Sequence, residues 1–247
     1  MMQKQTRWHV LSLFSILFAA LLLAACGGDD NGGGPTVGSF QGTWRGAYEV
    51  TGVEHEFAVV VDASGNITDV LQDNVSLGLT GTIAAVGGNI FSFSLSNGTN
   101  GGFMIDSSAT HAGFLDEFGS FGVVQKGATS PLPTYALDDA VGSWAGYSLA
   151  LDNSFNLDET SGSSATINSS HNISGSSLNT AFTGSLTSVD SSFGKFLGTW
   201  STASSGSGNL AAWMSEDKTF VASWECQGSV SSPMTLSDCA FSIWNKQ

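Results

Sequence analysis

A chain of 247 residues with 41 % apolar and 11 % aromatic content can build one or two packed domains, which excludes wholesale disorder. Only 7 Lys and Arg stand against 21 Asp and Glu, for a formal net charge of −14. Such a surface cannot displace counterions from a phosphate backbone, so nucleic-acid binding is excluded, and anionic membrane surfaces repel it.

The first segment sets the address. Lys4 and Arg7 lead into an apolar run from Val10 to Leu23, interrupted only by Ser12 and Ser15. The run is shorter than the roughly 18 to 20 residues a spanning helix needs and has the layout of a secretory signal. Leu23-Ala24-Ala25-Cys26 resembles the bacterial lipoprotein signal box. The resemblance implies a signal peptide over residues 1–25 and a lipidated Cys26 that attaches the protein to a membrane. Gly27 after it resembles lipoproteins sent to the outer membrane, with the periplasmic or surface face open. Residues 26–38, rich in Gly and ending near Pro35, read as a flexible tether.

From Phe40 the pattern has period two. Phe40, Gly42, Trp44, Gly46, Tyr48 and Val50 alternate with polar or small residues, as in a half-buried strand with its aromatic set inward. Further strands are predicted around Phe57–Val61, Ile67–Leu71, Val75–Ile83, Phe91–Leu95, Phe103–Asp106, Thr110–Asp116 and Phe121–Lys126. Ser64-Gly65-Asn66, Gly87-Gly88-Asn89, Asn97-Gly98 and Asn100-Gly101-Gly102 are turn or hairpin signals. Residues 39–127 therefore form a first all-β module of about eight strands. Residues 128–139, with Pro131 and Pro133, read as a linker.

Residues 140–247 repeat the order. Gly42-Thr43-Trp44-Arg45-Gly46 matches Gly142-Ser143-Trp144-Ala145-Gly146, and Ser64–Ile67 matches Ser170–Ile173. Leu79–Thr82 matches Phe182–Ser185, Ala112–Phe114 matches Ala222–Trp224, and Phe121–Lys126 matches Phe241–Lys246. A repeat this long is a whole domain, which points to tandem duplication. In the second copy the apolar positions after Gly146 change parity to Tyr147, Leu149 and Leu151, which predicts a lost residue or a bulge. The Ser/Asn/Gly-rich stretch from Asn153 to Ser177 is expected to include a long loop. Cys226 and Cys239, an even pair in an exported chain, are expected to form a disulfide that pins the connection between them and stabilises by roughly 2 to 3 kcal/mol.

The expected fold is all-β: two tandem small antiparallel up-and-down β-barrels of about eight strands each, since closure removes the edge strands. Gly-x-Trp on the first strand, with a lysine at the end of the last, resembles the calycin superfamily of lipocalins and avidin-like proteins. The resemblance implies that Trp44 with Lys126, and Trp144 with Lys246, close one end of each barrel. It also makes Tyr48, Phe91, Phe93 and Tyr147 candidates for lining a ligand cavity. Such aromatics are more often core, and interiors this small are expected to be filled by Phe91, Phe93, Leu77 and Leu79.

Little else points to chemistry. His55 lies between Glu54 and Glu56, but strand alternation turns it away from both. His111 and His171 are isolated. The run Asp152–Glu159 loosely resembles a calcium loop, yet Leu157 stands where the loop needs Gly and Ser163 where it needs a bidentate acid. No catalytic residue, metal site or cofactor is expected. The sequence thus reads as a non-catalytic, lipid-anchored binding or structural module at the outer membrane. Two alternatives are a carrier of a small apolar ligand and an interaction partner or inhibitor of a basic envelope protein.

Overall fold

The computed structural model describes residues 35–151, 157–177, 180–203, 206–226 and 239–247. Cys26, the signal segment, most of the tether and the connection between the two cysteines lie outside them. The first barrel comprises β1 (Gly42–Val50), β2 (Val53–Val61), β3 (Asn66–Gln72), β4 (Val75–Ser76), β5 (Gly81–Gly87), β6 (Ile90–Leu95), β7 (Asn100–Ile105), β8 (His111–Asp116) and β9 (Phe121–Lys126). All pairings are antiparallel; β9 returns to β1, and β4 is a short addition to β3. The second barrel closes through β10 (Gly142–Leu151), β11 (Leu157–Ile167), β12 (Asn172–Ser177), β13 (Thr180–Asp190), β14 (Lys195–Thr202), β15 (Gly206–Met214), β16 (Phe220–Cys226) and β17 (Cys239–Lys246).

The two registers superpose. Trp44 pairs with Lys126 and Trp144 with Lys246. Asn66 pairs with Thr82, as Asn172 does with Ser185. One sequence match shifts by a residue: His111 faces Gln125 where Phe220 faces Asn245, so Gly113 corresponds to Ala222 and Leu115 to Trp224.

Several strand expectations are corrected. Asn100-Gly101-Gly102 opens β7 instead of turning, and the turn falls at residues 96–99. A Cβ on Gly101 would lie 2.4 Å from both the Phe93 ring and the Leu115 carbonyl oxygen, so this glycine makes room for a ring. The run from Val75 to Ile83 breaks between β4 and β5, leaving Val75 65 % and Leu77 45 % exposed, so Leu77 does not fill the interior. The long loop expected within Asn153–Ser177 is mostly strand, namely β11 and β12. Serines suit a wall whose outer face meets water, as where Ser164 and Ser176 sit exposed to half-buried across adjacent strands.

The parity change after Gly146 has a different cause from the one expected. β10 runs in unbroken register with β17 from Trp144 to Ala150, and only beyond Ala150 does its pairing with β11 shift. Ser148 points inward, and Leu149 points outward into an apolar core shared by the two barrels. The outward residues of β8 and β9 meet those of β15, β16 and β17, and Val123, Trp213, Phe220, Trp224 and Ile243 are all fully buried there.

This contact approximates a two-fold. His111 stacks on its counterpart Phe220 at 5.2 Å between ring centroids. Gly113 meets its counterpart Ala222. At the rim His111 also bridges Asp106 and Asp217, at 3.2 and 3.0 Å. Burial alone would lower its pKa, but the Asp106 hydrogen bond and the Asp217 charge overcome that and raise it. Lys195 of the second barrel pairs with Glu49 and Glu54 of the first. The Cys226–Cys239 disulfide joins β16 to β17 within the same shared core. The segment between the barrels is buried as well: Tyr135 is 2 % exposed with Lys218 Nζ 5.6 Å from its ring centroid, and Leu132 packs against both neighbouring cores.

A side chain at position 113 has no room. Its Cβ would sit 2.6 Å from Ala222 Cβ and 3.0 Å from side-chain atoms of Ile243 and Phe241. Gly113→Val is therefore expected to destabilise the chain by about 1–3 kcal/mol through overpacking. Gly102→Ala, with nothing closer than 3.4 Å, serves as the control in urea denaturation of both variants.

Candidate functional site: the interior of the second barrel

Both barrels are shut at one end by the same device. A 3₁₀ turn precedes each first strand, at Val37–Phe40 and Leu137–Ala140. Its last carbonyl accepts the indole N–H of the tryptophan four residues on: Trp44 to Phe40 at 2.8 Å, and Trp144 to Ala140 at 2.9 Å. The carbonyl before it accepts the lysine from the last strand: Lys126 to Ser39 and Lys246 to Asp139, both at 2.8 Å. Each lysine lies 5.8 and 5.4 Å from its tryptophan ring centroid, within cation–π range.

Both glycines of the repeated motif follow from this geometry. Gly42 and Gly142 have φ of +130° and +143°, under the lysine stems. A Cβ on Gly46 or Gly146 would lie within 1.9 or 1.7 Å of a carbonyl oxygen on the neighbouring strand.

Above that common floor the interiors differ. In the first barrel the Phe40 ring packs against Phe91 and Phe103, at 4.6 and 5.2 Å, and Tyr48, Phe57 and Phe114 stack above. The Tyr48 hydroxyl donates to Gln72 at 2.7 Å, and burial raises its pKa. His55 sits beside it, 2.8 Å from Asp73, while Glu54 and Glu56 pair with Lys195 and Arg45 on the outer face. Tyr48, Phe91 and Phe93 thus belong to a packed core. Tyr147 is 49 % exposed and shares the outward parity of Leu149, so it lines no interior.

In the second barrel the matching positions are small or hydroxylic. By register, Phe40 and Phe103 correspond to Ala140 and Ala212. Tyr48, Phe57 and Phe114 correspond to Ser148, Ser163 and Ser223. Compensation is partial: Trp244, Trp200 and Leu210 are larger than their counterparts Val124, Leu95 and Gly101. Gly122, whose Cβ would strike Tyr48 at 2.6 Å, is matched by Ser242, which donates to Ser148 at 2.8 Å. These exchanges do not fill the interior completely. A cavity of about 60 Å³ remains, walled by Trp144, Trp200, Trp244, Phe182 and Phe196 and bordered by Ser223 and Glu225.

The polar groups on and near this lining are incompletely satisfied. Trp244 Nε1 donates to Ser223 Oγ, and Ser223 donates to Glu225 Oε1, each at 2.8 Å. Ser163 is 6 % exposed, and its Oγ has no hydrogen-bond partner. Burial pushes Glu225 up to about 7, against which the Ser223 and Ser242 hydroxyls provide only partial relief. Its counterpart Asp116 instead accepts the N–H groups of Phe118 and Ser120, each at 2.9 Å, and caps its own turn. Period two alone places Glu225 on the Ser223 face. What marks it is the pairing of Tyr48, Phe57 and Phe114 in one copy with serines in the other, visible only with a register in hand. Among the described residues no group of three His, Cys, Asp or Glu is placed to hold a metal ion.

No protein-family model and no curated protein matches this chain. Solved structures with some likeness include a protein of unknown function from the DUF3598 family of Nostoc punctiforme PCC 73102. It is 8 % identical with a TM-score of 0.34, over 86 % of this chain and 99 % of that one. Another is a tryptophan-to-alanine mutant of the vaccine antigen transferrin binding protein B from Haemophilus parasuis Hp5. It is 10 % identical with a TM-score of 0.40, over 83 % of this chain and 45 % of that one. Likenesses this distant carry no argument about the present chain.

The raised pKa of Glu225 has a signed consequence. Between the ordinary glutamate value and about 7 the folded state holds a proton that the unfolded state releases, so stability falls as pH rises through that window. The penalty is absent below the unfolded value and complete above about 7, on the order of 3 kcal/mol. Glu225→Gln is expected to match the parent at pH 4 and exceed it at pH 8 in denaturant midpoint. Equal midpoints at both values would contradict the raised pKa of Glu225.

Proposed function

We propose that this chain is a non-catalytic, lipid-anchored binding protein of the bacterial outer membrane. Its second barrel carries a small, largely apolar ligand, and its first barrel is the structural partner. One observation carries the reading: two barrels of matching register, one with Phe40, Phe103 and Phe114 packed in its core, the other with a cavity bordered by the matching Ala140, Ala212 and Ser223. Cavities of this kind destabilise, at about 24 cal/mol per Å³, so an empty one is an expense for stability alone. The anionic body has little affinity for a membrane, and lipid on Cys26 supplies it.

An acidic rim favours a secondary role in meeting a basic protein. Phe118 is 67 % exposed at the β8–β9 tip, and Val53 is 52 % exposed beside the neighbouring β1–β2 tip, flanked by Asp116 and Glu117. Binding there would weaken with salt.

Xenon tests the carrier reading, because it enters dry apolar cavities. Under xenon pressure, NMR signals of residues around Trp144, Trp200 and Leu210 are expected to shift while those around Phe40 and Phe91 stay fixed. Shifts in the first barrel alone, or none, would overturn it. The anchor is tested separately: Cys26→Ser, expressed in a Gram-negative host, is expected to lose palmitate labelling and leave the membrane fraction.

A further inference from the structure

The cavity of the second barrel pairs aromatic faces with a carboxylate that has no cation of its own. Lys126 and Lys246 lie over their tryptophans, Lys195 binds Glu49 and Glu54, Lys218 binds Asp139, and Arg45 binds Glu56. The two remaining basic residues, Lys4 and Arg7, precede the lipidation site at Cys26. Among the described residues, then, no basic side chain pairs with Glu225. Beside it are Ser223, which donates to it, and Trp244, which donates to Ser223. Ser163, inward on the same face as the cavity-lining Ala165, keeps a buried Oγ without a partner. A carboxylate in such a place is stabilised by a charge that arrives with the ligand.

We propose that the second barrel binds a small organic ammonium, its charged head on Glu225 among the inner serines and its short alkyl tail against the indole faces of Trp144, Trp200 and Trp244. The proposal rests on the carrier reading and adds the chemical class of the ligand. The carboxylate attracts the cationic head, and the indole faces give the tail its apolar contact. Anions are repelled by the same carboxylate. A neutral molecule gains only the apolar contact and a hydrogen bond. The cavity volume of about 60 Å³ matches about two water-sized volumes, which sets the tail at about two or three carbons. An ammonium ligand requires the ionised form of Glu225, and the value of about 7 places that ionisation within reach of neutral pH.

The test uses the full chain, ¹⁵N-labelled at its indoles, titrated with n-propylammonium chloride. n-Propanol and sodium propionate serve as neutral and anionic matches. The Trp144, Trp200 and Trp244 indole signals are expected to move with propylammonium while those of Trp44, Trp213 and Trp224 stay fixed. Affinity at pH 8 should exceed that at pH 6 by about tenfold, following the ionised fraction of Glu225. Propanol should bind at least about tenfold more weakly at pH 8, propionate should not bind, and Glu225→Gln should erase the preference of ammonium over alcohol. If that variant does not fold, the pH dependence of the parent protein decides by itself. Propanol binding as tightly as propylammonium at both pH values would overturn the ammonium class and leave the carrier reading standing. No response to any of the three probes, with the xenon response intact, would do the same. Loss of both responses would overturn the two together.

Discussion

The apolar wall shared by the two barrels is the constraint on which the remaining architecture depends. A barrel strand ordinarily buries one face and wets the other. Here β8, β9, β16 and β17 bury both, because the outer face of each barrel is covered by its neighbour. That is why Phe121–Val124 and Phe241–Trp244 read as nearly continuous apolar runs, the pattern of a strand covered on both sides. Fully buried aliphatic and aromatic side chains contribute roughly 1.5–3 kcal/mol each, so Val123, Trp213, Phe220, Trp224 and Ile243 together outweigh any single ion pair at the rim. The surface charge of −14 opposes compaction, and the shared core offsets it.

The approximate symmetry of this contact is realised with different chemistry on its two sides. Glu49 and Leu149 occupy matching places on the first strands, and Ile90 and Lys195 on the sixth and fourteenth. On one side Lys195 meets Glu49 and Glu54. On the other, Leu149 and Ile90 belong to the apolar cluster. The parity change after Gly146 is the sequence trace of that exchange. Once Leu149 faces outward to the neighbouring barrel, the inward place beside it falls to Ser148.

Much of the fold was legible because period two, turn residues and the repeated motif all report local geometry. The strand around Trp44, the closing lysines and the cysteine pair depend on residues near in sequence or on a repeat that can be aligned by eye. Other features depend on partners about a hundred residues away. Nothing near Gly113 announces Ala222, and nothing near Asn100 announces that Phe93 will lie across Gly101. Tyr147 read as a lining residue because its own strand carried the parity, while the surface that decided it belongs to the other barrel. The run Asn153–Ser177 read as loop because serine and glycine favour turns, yet closure of a barrel supplies strand partners on both sides regardless of propensity. Glu225 was the least legible, since a lone glutamate between Trp224 and Cys226 carries no pattern of its own.

Filling one barrel and hollowing the other is consistent with a single stability balance. Domains of this size keep a margin of only about 5–15 kcal/mol, so a barrel with a cavity, a half-buried carboxylate of raised pKa and an unpartnered hydroxyl would sit near the limit alone. Its outer wall is also the wall of the shared core, and the Cys226–Cys239 bridge fastens the edge of that wall where Glu225 resides. Cys226 and Trp224 point outward into the shared core, and Ser223 and Glu225 point inward to the cavity, on one strand of seven residues. A strand so firmly held on one face can carry polar, poorly satisfied groups on the other without melting, the arrangement expected where local rules are broken for binding. The first barrel therefore contributes to the site without touching it. By covering the back of β16 it holds Ser223 and Glu225 in place, and the second barrel depends on its filled neighbour for rigidity.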